Sequence, residues 1–267
     1  MLIKIGYELL FNIPAPVPMV MMLYAHPEQA GALRKPERLQ VYPEVPIHNY
    51  IDFFGNRVGS LLAPAGKLRL TYDNVAEDSG LPERKIDGAR LHPVEELPPE
   101  CMPYLLASRY CEVDKMSQIA WDLFGKTPPT WERVQAVMDW VHSNVTFGYP
   151  FARSTKSALE VFQEKKGVCR DFMHLAITFL RALNVPARYA TGYLGDIGVP
   201  PAPFAMDFSA WFEVYLSGSW YSLDARHNQP RIGRILQARG RDAVDVALTT
   251  SFGPAKLEKF KVWTEET

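Results

Sequence analysis

Three short stretches of this chain carry residue types that can do nucleophilic chemistry. Gly167-Val168-Cys169-Arg170-Asp171-Phe172 sets a cysteine at the head of an apolar helical pattern. Asp207-Phe208-Ser209-Ala210-Trp211-Phe212-Glu213-Val214-Tyr215 reads as a strand that opens on a serine, and Ser222-Leu223-Asp224-Ala225 ends a second strand on an aspartate. The thiolate is the nucleophilic form of cysteine, and the unpaired N–H groups and positive dipole of a helix N-terminus favour it. A cysteine followed by a polar residue and an aspartate on neighbouring strands is the layout of a Cys-His-Asp site, in which histidine moves protons and aspartate orients it. Here the histidine position reads Ser209. Serine does not titrate near neutral pH and cannot protonate a leaving amine as imidazolium does.

The other histidines are weaker claimants. His174 lies five residues after Cys169 on the same helical pattern, about 140° around the axis, and so points away. His142 falls on an earlier helix. His227 follows Asp224 by three residues and on a continued strand would face the opposite side. The segment Ala225-Arg226-His227-Asn228-Gln229-Pro230 looks like a turn, so a surface-loop histidine is expected, with a folded-back His227 as the alternative. Trp211 and Tyr193 read as core aromatics, with walls of a substrate cleft as the other reading. Arg170 and Asp171 read as helix first-turn residues and a surface ion pair. The arginines at 226, 231, 234, 239 and 241 read as a solvated face rather than an anion site.

The elements that must position these residues fall into two parts. Residues 1 to 98 read as all-β, with alternating runs such as Ile3-Ile5-Tyr7-Leu9 and Leu68-Leu70-Tyr72 between turns such as Pro14-Ala15-Pro16, which suggests a β-sandwich domain. Leu97-Pro98-Pro99-Glu100 is the linker candidate. Residues 99 to 267 form the second expected domain, where the period becomes helical. Asp114 and Thr130 are expected to cap two helices, a short third runs from Ser157 to Gln163, and the Cys169 helix stops at Asn184-Val185-Pro186. Strands follow at 188–193, 211–216 and 220–223, the last two joined through Ser217-Gly218-Ser219. Val244, Val246 and Leu248 alternate as a strand, and Phe260 and Val262 suggest another. The expected class is α+β, an N-terminal β-sandwich followed by helices packed on an antiparallel sheet.

Composition narrows the partners. The 267 residues carry a net charge of −1, with no basic stripe interleaved with aromatics, which argues against nucleic acid. The most apolar run, Val17 to Ala25, contains Pro18 and is too short to span a bilayer. The first residues mix charge with alternation rather than a signal-peptide core, and three cysteines with no CxxC pair fit a reducing compartment, so a cytoplasmic protein is expected. No calcium-loop or zinc-spaced motif occurs, and no metal or cofactor is expected.

Taken together, Asn184-Val185-Pro186-Ala187-Arg188-Tyr189-Ala190-Thr191-Gly192-Tyr193, the Ser209-Ala210-Trp211-Phe212-Glu213-Val214-Tyr215 strand and Asp224 resemble the transglutaminase-like superfamily, and in particular its bacterial branch with an N-terminal β domain. The resemblance covers residues 110 to 253 and implies a papain-like core. It implies that Cys169 attacks a carboxamide or peptide carbonyl to give a thioester, and that Asp224 is the orienting aspartate. The substrate it implies is a peptide or protein bearing an amide. The departure is Ser209, where the family has histidine. It leaves two readings open: a thiol enzyme on amide bonds with an unusual base, or a catalytically impaired module that binds a peptide or protein. A third, acyl transfer to an arylamine, is disfavoured by the N-terminal β domain.

Overall fold

The computed structural model describes residues 1–84, 88–203 and 205–267. Its first part is built from β1 (Leu2–Ile13), β2 (Val17–Met21), β3 (Gln40–Tyr42), β4 (His48–Ile51), β5 (Arg57–Ala63) and β6 (Gly66–Glu77). Strict alternation decides which face is buried. Along β1 the side chains of Ile3, Ile5, Tyr7, Leu9, Phe11 and Ile13 turn inward, and Leu68, Leu70 and Tyr72 of β6 do the same. They share one apolar cluster with Val17, Met19 and Met21 of β2, so two antiparallel sheets close over a common core as a sandwich.

Helices α1 (Val113–Phe124) and α2 (Trp131–Asn144) follow, then β7 (Thr146–Phe147), α3 (Ala158–Glu164), β8 (Lys166–Gly167) and α4 (Cys169–Ala182). Thr130 caps α2 and Ser157 caps α3, each accepting from a first-turn N–H, as their types predict. On α1 the capping position is Glu112, and Asp114 sits inside the first turn. Helix α4 is buried from Asp171 to Ala182 because it is wrapped on all sides. The other three helices cover one flank, and a four-stranded sheet of order β11-β10-β9-β12 covers the other. That sheet comprises β9 (Ala187–Tyr193), β10 (Ser209–Leu216), β11 (Ser219–Leu223) and β12 (Ile235–Gly240). Phe212, Val214 and Leu216 of β10 join the cluster built on Phe172, Leu175, Phe179 and Leu180 of α4. The mixed α+β class is as expected.

The chain then returns to its beginning. Strand β13 (Thr249–Ser251) pairs with β2, and β14 (Lys256–Glu266) pairs with β1 along almost its whole length. The boundary of 99–267 for a second domain is therefore corrected: residues 249–266 complete the two sheets of the N-terminal sandwich. Left unpaired, β1 and β2 would present open edges, and the returning strands cover them. The alternation at Val244, Val246 and Leu248 is not a strand; the pairing begins at Thr249. Strand β12, which carries Arg239, lies instead within the stretch expected to be a solvated face. Gly192 allows β9 and β12 to approach, since a Cβ there would fall 2.1 Å from the Ile235 carbonyl oxygen.

Candidate active site

Cys169 is the first residue of α4, reached from the short parallel pair β7–β8. Asp171 buries its carboxylate beneath the helix start and accepts from the Val168 N–H at 2.9 Å. Gly167 leaves the room, for a Cβ there would lie 2.6 Å from the Cβ of Asp171. Arg170 sits 3.2 Å from the other Asp171 oxygen. Asp171 is thus a first-turn residue as expected, but a fully buried one.

The thiol itself is not held as a thiolate. Burial pushes Cys169 up to about 11, with the negative charge of Asp207 acting in the same direction. The Arg226 guanidinium and the Arg170 N–H act the other way and are outweighed. Helix placement was expected to lower this group; desolvation wins here because the thiol faces a cleft walled by protein. Cys101 and Cys111 are free, buried and likewise raised.

Asp224 closes β11, and the chain after it turns back on itself. Its Oδ1 accepts the N–H of Arg226 at 2.9 Å and of His227 at 3.1 Å. The Asn228 N–H reaches the Asp224 carbonyl at 2.8 Å, and Asn228 adopts a left-handed φ of 50°, a conformation asparagine tolerates. The Asn228 amide then donates to Asp139 of α2 at 2.8 Å, pinning the turn to the helical layer. The result carries His227 round so that its Nδ1 lies 2.7 Å from Asp224 Oδ2. Arg234 approaches the same oxygen at 3.4 Å. His227 hydrogen bonding and the Arg234 charge overcome burial and hold the Asp224 carboxyl well below the usual carboxylate range. An ionised Asp224 can only accept, so Nδ1–H donates to it, and in the neutral ring Nε2 keeps its lone pair.

Cys169, Ser209 and His227 line one cleft, together with Tyr149, Leu194, Asp196, Asp207 and Arg226. A second lobe opens from the same cysteine, lined by Tyr110, Tyr189, Val246, Leu248 and Phe260, with Asp207 and Ser209 common to both. The expected surface-loop histidine is therefore corrected: His227 folds back into the cleft. Asp224 does not turn to Ser209, for its carboxylate is taken up by the turn, His227 and Arg234. Trp211 and Tyr193 line neither lobe. Trp211 is buried beside Ala190 and Leu236 with Arg234 over its ring, and Tyr193 packs in the sandwich core.

The arginines are corrected as well. Arg234 ion-pairs with Glu83 and Asp224, Arg239 bridges Glu28 and Glu213, and Arg231 donates to the Gly195 carbonyl at 2.9 Å. All three are largely buried rather than forming a solvated face. His174, as expected, points away from the cysteine: it is buried, stacks on Tyr110 and accepts the Ala243 N–H. Tyr149 and Asp207 were not among the expected site residues, and Arg234 was expected on a solvated face. Asp207 sits two residues before Ser209 on the approach to β10, which was the available signal. Among the described residues no cluster of three acidic, histidine or cysteine side chains could hold a metal, and no helix is long and apolar enough to cross a membrane.

Residues 118–225 match the family described as the transglutaminase-like superfamily, a stretch that takes in Cys169, Ser209 and Asp224 and stops just short of His227. The crystal structure of a candidate cysteine protease from Cytophaga hutchinsonii superposes with a TM-score of 0.85 at 30% identity, covering 99% of this chain and 90% of that one. This chain belongs to the transglutaminase-like superfamily. Uncharacterised proteins of Mycobacterium are also similar. One from Mycobacterium leprae is 25% identical over 217 residues, 79% of this chain and 77% of its own length. Another from Mycobacterium tuberculosis is 28% identical over 201 residues, and this chain spans 64% of its length. The superfamily layout therefore extends over both parts of the chain, since the superposed structure covers sandwich and core together.

Proposed function

We propose that this transglutaminase-like protein is a thiol enzyme that acts on amide bonds of a peptide or protein, with His227 serving as its base. The observation that carries the reading is His227, in the cleft that Cys169 lines, with Asp224 paired to its Nδ1. Together they supply the proton-moving and orienting groups of a Cys-His-Asp site from a position other than Ser209. His227 Nε2 takes the Cys169 proton as sulfur attacks the amide carbon, which overcomes the resting reluctance of the buried thiol to ionise. The first-turn N–H groups at the head of α4 stabilise the tetrahedral oxyanion. The imidazolium then protonates the departing amine or ammonia, leaving a thioester on Cys169. Water, deprotonated by the same Nε2, resolves it to acid and thiol; an amine in its place gives transfer. Asp224 stays ionised throughout and stabilises the imidazolium. Ser209 is a wall of this site without a proton-transfer role.

The second reading, an impaired module that binds a peptide, rests on Ser209 alone. The two separate in one experiment. Native protein, Cys169→Ala, His227→Gln and Ser209→His are incubated with a denatured-protein digest, and released ammonia and new α-amino groups are measured. Turnover in the native protein and Ser209→His, with loss in the other two, is expected. Turnover that appears only in Ser209→His would overturn the proposal and favour the binding module.

A further inference from the structure

Two acidic side chains line the cleft, Asp196 and Asp207, and a third, Asp224, meets it through His227; two of the three are satisfied. Asp196 accepts the Ala202 N–H at 2.8 Å and faces Arg231 at 3.7 Å. Asp224 is held by its turn, His227 and Arg234. Among the described residues Asp207 meets only the N–H of the adjacent Phe208 and forms no ion pair. It is half-buried, it lines both lobes, and burial raises its carboxyl above the ordinary value. Arg226, which has no ion-pair partner among the described residues, does not answer it; its guanidinium stacks 3.6 Å from the centre of the Phe147 ring. A carboxylate removed from water without a partner is costly, and a ligand that brings a positive charge relieves that cost.

We propose that Asp207 determines specificity in this cleft by receiving a cationic group, a primary ammonium or guanidinium, carried by the substrate beside the reacting carbonyl. The inference rests on the thiol chemistry proposed above and adds the class of substrate. Its position makes recognition and chemistry one event. Asp207 is the charge that most opposes ionisation of Cys169 after burial itself. A substrate cation seated on Asp207 neutralises that charge, so the thiol ionises more readily once the right substrate is bound. Neutral substrates leave the opposition in place, and anionic ones meet a like charge.

The test needs no known substrate. Cys169 is modified with 2-aminoethyl, methyl and 2-sulfonatoethyl methanethiosulfonate, which are cationic, neutral and anionic. In each case the thiolate forms a disulfide with the transferred alkylthio group and methanesulfinate leaves, so one reaction reports three charges. Site-resolved rates come from peptide mass spectrometry, with buried Cys101 and Cys111 as internal references. The cation-to-anion rate ratio of the native protein is expected to fall about tenfold in Asp207→Asn, the scale of one nearby unit charge in a half-buried site. Asp207→Glu is expected to keep the native ratio. An unchanged ratio in Asp207→Asn overturns the proposal, as does a native ratio that favours the anion through Arg226. The neutral reagent reports separately on the thiol: if Cys169 resists all three until unfolding, the thiol reading itself falls, and this inference with it.

Discussion

Two loops reach the cleft beside Cys169, and each brings an aspartate. The loop after β11 surrounds Asp224 with two backbone N–H groups, the His227 ring and the Arg234 guanidinium. The loop before β10 leaves Asp207 with one neighbouring N–H. Both carboxyls are shielded from water, and burial alone would raise both. Their pKa values nevertheless move in opposite directions, Asp224 downward and Asp207 upward. Burial sets the size of what is at stake, and partners set its sign. The first loop spends its contacts on holding one geometry, which is what an orienting residue needs. The second leaves a charge unanswered, which is what a recognition residue needs.

The comparison is broken most severely at its saturated end. Asp224→Asn removes the anion that keeps the proton on His227 Nδ1 and stabilises imidazolium, while retaining volume. Amide turnover is expected to fall about 10³-fold or more, because the wrong tautomer presents N–H instead of a lone pair to the thiol. Single-turnover acylation of Cys169, followed by mass, checks this. A loss of less than tenfold would mean that His227 is oriented by something other than Asp224 and would dissolve the contrast.

The two loops were unequally legible in the sequence. Cys169 at the head of α4 was readable because Gly167 and the apolar run from Phe172 are local signals, and Asp224 was readable from the strand it ends. His227 was not, since its return depends on a left-handed Asn228 anchored to Asp139, a residue of α2 far away in sequence. The same holds for the arginines. A guanidinium reads as surface until Glu83, Glu28 and Glu213 are known to meet it. The returning strands show the limit in another form: alternation at Phe260 and Val262 announced a strand, but alternation names no partner, and β1 lies at the other end of the chain. Asp207 carried only its place two residues before Ser209, because what marks it is the want of a charged partner among the described residues.

A middle-sized effect is expected at Arg234, which serves the first loop by pairing with both Glu83 and Asp224 from a buried position. Arg234→Met leaves two carboxylates without their shared cation and is expected to cost about 3 kcal/mol, as for other broken buried pairs. Urea unfolding at pH 7 measures it. Because His227 still holds Asp224, turnover in this variant is expected to drop far less than in Asp224→Asn. Equal losses would show that Arg234, rather than the turn, fixes the carboxylate.

Reactivity of the thiol gives a smaller contrast. Alkylation of native Cys169 by iodoacetamide, without substrate, is expected to keep rising with pH toward about 11, following the raised thiol. Asp207→Asn removes the largest charge opposing ionisation, so its rate at pH 8 is expected to be several-fold higher. A rate that is already flat at pH 7 in the native protein would show a thiolate stabilised at rest.

The smallest effect tests the sign directly, through stability as a function of pH. Asp224 has a folded pKa below its unfolded value, so its contribution is present above the unfolded carboxylate range and is lost as pH falls toward the folded one. The gap in unfolding free energy between native protein and Asp224→Asn should therefore be wide at pH 7 and narrow as the medium is acidified. Asp207 runs the other way, with a folded pKa above its unfolded value. Below the unfolded value native Asp207 and Asp207→Asn should match, and as pH rises through the folded value the native protein should lose ground, making the variant the more stable at pH 7. The gain is expected within about 0.5 kcal/mol, the scale of substitutions that remove no structural partner. Urea unfolding at about pH 2.5, below the ~3.9 of an unfolded aspartate, and at pH 7 suffices, since only the direction of the difference matters. A clear loss of stability in Asp207→Asn at pH 7 would mean that Asp207 already holds a structural partner, and the two loops would then be alike after all.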